Sequence, residues 1–146
     1  SWDILAGMHG SGLDNSVFLR PKETVLLQIL PFKSEFRASF PQSAASANVI
    51  YQEWMLKDRS KTLLHWDLFE QANSEAFHSM SKQDIIERGS RGFGTRETAM
   101  FWINQDIVVP LDEWQRMLRS ATQAVSRVRE ADMEKGRRSG IKLPDQ

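Results

Sequence analysis

Asp3-Ile4-Leu5-Ala6-Gly7-Met8-His9-Gly10-Ser11-Gly12 decides the fold of this chain. Its apolar first half predicts a strand, its glycines predict a turn, and the following Leu13-Asp14-Asn15-Ser16-Val17-Phe18-Leu19 predicts a helix. The next apolar run, Thr24-Val25-Leu26-Leu27-Gln28-Ile29-Leu30, has almost no polar interruption before Pro31, which is typical of a strand covered on both faces of a parallel sheet. A strand, a helix and a second buried strand indicate an α/β fold.

The downstream sequence repeats this alternation. Residues 33–47 are rich in Ser and Ala and place Phe36 and Phe40 on one helical face, and Asn48-Val49-Ile50-Tyr51-Gln52 follows as a third short strand. The pattern predicts a doubly wound, Rossmann-like parallel sheet with flanking helices. Residues 55–100 mix helical spacing with a glycine loop at 89–94, and a long amphipathic helix follows Pro110. We expect one domain over 1–136 and a polar tail over 137–146.

The amino-acid composition excludes several classes of protein and several kinds of binding site. The 146 residues contain 19 basic side chains (Lys and Arg) and 19 acidic side chains (Asp and Glu). The chain therefore has no net charge that would attract nucleic acid, and nucleic acid is not expected as a partner. The absence of cysteine excludes disulfides, thiolate metal ligands and a cysteine nucleophile. No apolar run approaches the ~20 residues of a membrane span, and the start at Ser1-Trp2-Asp3 lacks a signal pattern, as expected for a fragment.

The glycine loop is the candidate site. Glycines between a strand and a helix bring the backbone close to a ligand and direct free N–H groups at an anion, for which phosphate is the obvious choice. The spacing matches neither the dinucleotide-binding motif nor the P-loop. On spacing alone, a turn whose glycines serve only packing is as well supported as a phosphate-binding loop. His9 favours phosphate, because an imidazole beside these donors stabilises the charge of a departing diphosphate.

The oxyanion loop of α/β-hydrolases, of the type His-Gly-Gly-Gly, is a further alternative for the same residues. It requires a Gly-x-Ser-x-Gly nucleophile elbow downstream, and neither residues 89–92 nor residues 136–140 have that spacing. The hydrolase interpretation therefore ranks below the other two.

Several motifs together resemble glycosyltransferase family 61. They are the loop His9-Gly10-Ser11-Gly12-Leu13-x-Asn15, the turn Phe18-Leu19-x-Pro21, the strand Val25-Leu26-Leu27-Gln28-Ile29-Leu30-Pro31, and the segments Tyr51-Gln52-Glu53-Trp54 and Trp102-Ile103-Asn104-Gln105-Asp106-Ile107. The resemblance covers roughly residues 3–121 without the variable middle. Two positions depart from the family pattern, since Ser11 replaces an Ala and Gln28 replaces a frequent Glu. An amide at position 28 both donates and accepts and brings no charge, so donor choice is expected to differ.

The resemblance implies the C-terminal, donor-binding half of a two-domain GT-B enzyme. Such an enzyme transfers a sugar from a UDP-sugar to a hydroxyl of a glycan or glycoprotein, with inversion and without a metal or other cofactor. His9 would stabilise the leaving group, and the catalytic base would come from the missing N-terminal half of the same chain, so this fragment is expected to be catalytically incomplete. A Golgi or endoplasmic reticulum lumen location behind an upstream membrane anchor is implied. The implied donor contacts are His9, Gly10, Ser11, Gly12, Leu13, Gln28, Asn104, Gln105 and Asp106.

Plainer interpretations stand beside these. Gln28 also suits the polar end of a buried strand, and residues 104–106 suit a turn or helix cap. A non-catalytic module that binds a nucleotide or another phosphorylated ligand is the alternative function. Packing or surface roles, with no metal ligation, are expected for two histidines, two tryptophans and two arginines outside these segments, namely His65, His78, Trp66, Trp114, Arg91 and Arg96.

Overall fold

The structure is a computed structural model that describes residues 3–8, 13, 15, 18–34, 40–93 and 96–138. Its centre is a three-stranded parallel sheet in the order β1-β2-β3, formed by β1 (Asp3–Met8), β2 (Thr24–Leu30) and β3 (Ile50–Met55). The predicted α/β class with a parallel sheet and flanking helices is confirmed.

The central strand β2 is buried along its whole length, as its unbroken apolar run predicts. One face of the sheet packs Leu26 against Leu13 and against Phe40 and Ala44 of the helix α1 (Phe40–Ser46). The other face packs Val25 and Leu27 against the last helix, α6 (Leu111–Arg138). Because successive side chains of a strand point to opposite faces, one seven-residue strand supplies both cores.

Helix α6 crosses the sheet antiparallel to its strands. Its 28 residues span about 42 Å, and Met117, Ala121 and Val125 form its buried stripe. At its start the Trp54 Nε1–H donates to Glu113 Oε2 at 3.3 Å, which places the helix N-terminus at the carboxyl edge of the sheet. Near its end the Lys22 Nζ lies 2.8 Å from Asp132 Oδ2, at the amino edge.

The region between β3 and α6 forms a second layer of short elements. Four helices, α2 (Trp66–Ala72), α3 (Ser74–Ser79), α4 (Lys82–Arg88) and α5 (Arg96–Ile103), surround an aromatic core. An antiparallel pair, β4 (Thr62–Leu64) and β5 (Gln105–Ile107), closes it. The core members Phe69, Phe101 and Trp102 are almost fully buried and meet edge to face.

Three sequence expectations differ from the structure. Four residues of the predicted helix over 13–19 are described; Leu13, Asn15 and Phe18 lie in 3-10 turns, Leu19 lies in a bend, and none of the four lies in an α-helix. The third strand starts at Ile50 because Asn48 has a φ of 54°, a left-handed conformation that ends α1. The last helix continues to Arg138, and its basic last turn suits the negative end of the helix dipole. The predicted helical residue Phe36 lies outside the described residues.

Within the described ranges, no helix is both long enough and apolar enough to cross a lipid bilayer.

Candidate functional site

The residues on either side of the glycine loop, Met8 and Leu13, lie near the end of β1. Residues His9, Gly10, Ser11 and Gly12 lie outside the part of the chain that the structure describes, so the site is built from what precedes and follows them. Strand β1 ends at Met8, and Leu13 is buried against Leu26 on the α1 face. A Cβ on Gly7 would lie 3.1 Å from Leu13 Cδ2. The glycine at position 7 therefore lets Leu13 close onto the sheet beside the end of β1.

A row of three residues crosses the sheet at this edge. Gly7 pairs in register with Gln28, and Gln28 pairs with Glu53. Tyr51, two residues before Glu53 and on the same face of β3, has its Oη 2.5 Å from Gln28 Oε1 and 3.2 Å from Glu53 Oε2. Gln28 is fully buried and Glu53 is exposed. Gln28, Tyr51 and Glu53 are called the edge cluster below.

The edge cluster contains one hydroxyl proton between two acceptor oxygens. Tyr51 donates to one oxygen at a time, and a carboxylate is the stronger acceptor. The 2.5 Å distance to Gln28 Oε1 is that of a short O–H···O hydrogen bond, so Tyr51 donates to the Gln28 amide oxygen, and Glu53 Oε2 at 3.2 Å is the alternative acceptor. The Tyr51 hydroxyl therefore links the buried amide of Gln28 to the exposed carboxylate of Glu53.

The neutral amide of Gln28 is compatible with Glu53. A glutamate at position 28 would place two carboxylates on neighbouring strands, about 5 Å apart, and like charges at that distance repel. Gln28 therefore lies beside a carboxylate that the strand register supplies. Glu53 was not among the predicted site residues, because only the pairing of β2 with β3 brings it next to Gln28.

Gln105 is a structural bridge in this fold. It is almost fully buried, its Nε2 donates to the carbonyl oxygens of Phe32 at 2.8 Å and Trp102 at 2.7 Å, and its Oε1 accepts from Thr62 Oγ1 at 2.7 Å. The amide oxygen and both amide hydrogens are thus engaged with the protein. Since Phe32 follows β2, Gln105 fixes the second layer to the carboxyl edge of the sheet.

The neighbours of Gln105 lie at the surface. Asn104 and Asp106 are exposed, and Asp106 Oδ2 lies 3.1 Å from His65 Nε2. His78 lies 3.4 Å from Glu70 and is likewise solvent-exposed. The described residues contain no group of three or more His, Asp or Glu side chains that could hold a metal ion.

A cavity of about 610 Å³ lies on the α6 face of the sheet, opposite the face that carries the edge cluster, between β3 and the first half of α6. Leu27 and Met117 belong to its lining, together with Gln52, Trp54 and Arg116. This cavity is called the β3–α6 groove below. Nothing in the sequence pattern predicts it, because its two walls are widely separated along the chain.

Comparison of the chain with protein-family models and with curated proteins finds no match. The residues at the sheet edge therefore carry the functional interpretation.

Proposed function

We propose that this chain is the donor-binding half of a GT-B glycosyltransferase similar to family 61, and that it binds a UDP-sugar at the carboxyl edge of its sheet. The observation that carries the proposal is the row Gly7, Gln28 and Glu53 beside the two ends of the glycine loop. Open parallel sheets bind ligands outside the carboxyl ends of their strands. In this proposal the loop binds the anionic part of the donor and the edge cluster binds its hydroxyl groups.

In this proposal the glycine loop and the edge cluster bind different parts of the UDP-sugar. The amides of Gly10, Ser11 and Gly12 and the imidazole of His9 bind the diphosphate. The edge cluster receives ribose or sugar hydroxyls, because the Glu53 carboxylate accepts their protons and Gln28 both donates and accepts. Gln105 positions the loop after β2, and the exposed Asn104 and Asp106 remain available for ligand contact.

The proposed reaction is an inverting displacement. The acceptor oxygen attacks the anomeric carbon, the bond from that carbon to the UDP oxygen breaks, and a base takes the acceptor proton. His9 and the loop amides stabilise the negative charge on the departing UDP in place of a metal. The base belongs to the N-terminal half of the enzyme, so we expect this chain to bind UDP without turnover. The same proposal places the full-length enzyme in the Golgi or endoplasmic reticulum lumen.

The second candidate is a non-catalytic module that binds a nucleotide or another phosphorylated ligand. Binding alone needs the loop and the edge cluster, both of which this chain contributes by itself. A longer chain that carries the upstream half distinguishes the two, because only the enzyme releases UDP when a UDP-sugar and an acceptor are both present.

Calorimetric titration of the 146-residue chain tests the donor site. We expect His9→Ala to weaken UDP binding roughly ten- to hundredfold and to leave uridine binding unchanged, since a lost charge-assisted hydrogen bond is worth about 1.5–3 kcal/mol. Glu53→Gln should weaken both ligands, because both contain the ribose. His78→Ala and Glu130→Gln are the matched controls. His65 does not serve as one, because it contacts Asp106. Equal affinities in all five proteins would refute the assignment.

A further inference from the structure

The β3–α6 groove and the edge cluster lie on opposite faces of β3 and share one residue, Glu53. Tyr51 and Glu53 form hydrogen bonds on the α1 face of β3, whereas Gln52 and Trp54 point to the α6 face. Gln52 Nε2 donates to the Ser120 carbonyl at 3.4 Å, and the side chain of Trp54 is half-buried. Apart from Glu53, whose carboxylate accepts a hydrogen bond on the α1 face, the groove has its own walls.

The indole of Trp54 is fixed in the wall of the groove. Its Nε1–H donates to Glu113 Oε2 at 3.3 Å, and Glu113 Oε1 in turn lies 3.0 Å from Arg116 Nη2. An aromatic ring anchored at its N–H presents a rigid apolar surface next to polar groups. The apolar C–H face of a pyranose ring stacks on such a surface, while its hydroxyls need planar groups that donate and accept at the rim.

The charges of the groove are balanced in sign. Apart from Glu53, whose carboxylate lies on the α1 face, the lining includes the charged residues Asp58, Glu113, Lys57, Lys61 and Arg116, and Asp112 beside Arg116 adds a third acid. Arg116 is already paired, at 3.0 Å with Glu113 and at 3.4 Å with Asp112. A site for a phosphorylated ligand or a nucleic acid needs an excess of positive charge. The balance of charges in the groove therefore favours a neutral ligand rich in hydroxyl groups.

We propose that the β3–α6 groove binds a short neutral oligosaccharide. Its volume of about 610 Å³ lies within the range of small-molecule sites. Binding of the oligosaccharide depends only on the groove, whereas its identification as the acceptor rests on the proposed glycosyltransferase function.

The position of the groove suits an acceptor. Lys57, Asp58 and Lys61 follow β3 and line the groove, so it reaches the carboxyl edge of the sheet, where β1 ends at Met8. Neighbouring strands are about 4.8 Å apart, so β3 lies roughly 10 Å from β1. An oligosaccharide in the groove would therefore extend toward the donor from the far side of the sheet.

Nuclear magnetic resonance of the ¹⁵N-labelled 146-residue chain tests this proposal. The five tryptophans give five indole N–H signals, and Trp54→Phe identifies the one that belongs to Trp54. Maltotriose, cellotriose, xylotriose and chitotriose are titrated separately, and UDP is titrated in a parallel series. We expect at least one trisaccharide to shift the Trp54 signal, and UDP to leave it in place.

Two arginine variants on α6 complete the test. Arg116→Gln removes a rim donor and should weaken the trisaccharide about tenfold, whereas Arg127→Gln, an exposed position outside the groove, should not change its affinity. The proposal is overturned if no trisaccharide moves the Trp54 signal, or if both variants bind equally well. Because UDP is titrated independently, a trisaccharide that binds without UDP would contradict the donor site alone, and UDP that binds without a trisaccharide would contradict the groove alone.

Discussion

Gln28→Glu is the substitution that most directly tests the edge cluster. It keeps the size of the side chain and places a carboxylate at a fully buried position next to Glu53. At about 5 Å and an effective dielectric constant of about 20, the repulsion between the two carboxylates is about 3 kcal/mol. Desolvation of the new carboxylate adds to this penalty. We therefore expect the free energy of unfolding to fall strongly at neutral pH.

Protonation of the introduced carboxylate limits the loss of stability. The introduced carboxylate escapes both penalties when it takes up a proton, and protonating a group with an ordinary pKa near 4.3 costs about 4 kcal/mol at pH ~7. The destabilisation at neutral pH should therefore lie at about 3–4 kcal/mol. Repulsion and burial raise the pKa of the introduced carboxyl group in the folded state, so the variant is penalised above pH ~4.3 and recovers as the pH falls toward that value, by about 1.4 kcal/mol per pH unit.

Urea unfolding of wild type and Gln28→Glu at pH 7, 6 and 5 measures this slope. A variant as stable as wild type at pH 7, or a deficit that does not shrink on acidification, would refute the electrostatic explanation. The exchange variant Gln28→Glu/Glu53→Gln separates the two penalties. It removes the repulsion and leaves Tyr51 a carboxylate to donate to, so it should be more stable than Gln28→Glu, and the deficit that remains against wild type measures the desolvation cost.

Three further variants test the framework of the site. Gln105→Ala strips three hydrogen bonds from a buried bridge and should lower the free energy of unfolding by about 2–4 kcal/mol in urea titration. Gly7→Ala brings a methyl group to 3.1 Å from Leu13 Cδ2 and should lower the stability by about 1 kcal/mol in thermal unfolding, with weaker UDP binding. The Lys22 hydrogen bond lowers the pKa of Asp132, so Asp132→Asn should have a lower Tm than wild type at pH 7, and the difference should disappear as the pH falls through the lowered pKa.

The parallel sheet could be predicted because its signal is local. Thr24–Leu30 is apolar along almost its whole length, and a strand covered on both faces has that composition. The amphipathic stripe of α6 is equally local, with Ala121 and Val125 buried as expected. By contrast, β4 and β5 have three residues each, too few for a period to show, and the pairing of Thr62 with Ile107 depends on tertiary structure.

The candidate site could be predicted only in part, because some of its residues come together only through strand pairing and tertiary contacts. Gln28 stands out in sequence as a polar residue in an apolar strand, and the structure buries it. Glu53 has no such signal, since a single acid in a half-exposed strand is unremarkable until the register places it beside Gln28. Gln105 differs from both, because its sequence context favours a ligand contact while its three hydrogen bonds reveal a bridge.

The central strand also has a consequence for the unfolded chain. Thr24–Leu30 contains neither charge nor proline, and a β-prone segment of this length stacks readily with copies of itself when it is exposed. Lys22, Glu23 and Lys33 flank it and act as gatekeepers through charge repulsion between chains. Variants that loosen α1 or α6 should therefore be lost to aggregation before an unfolded monomer accumulates.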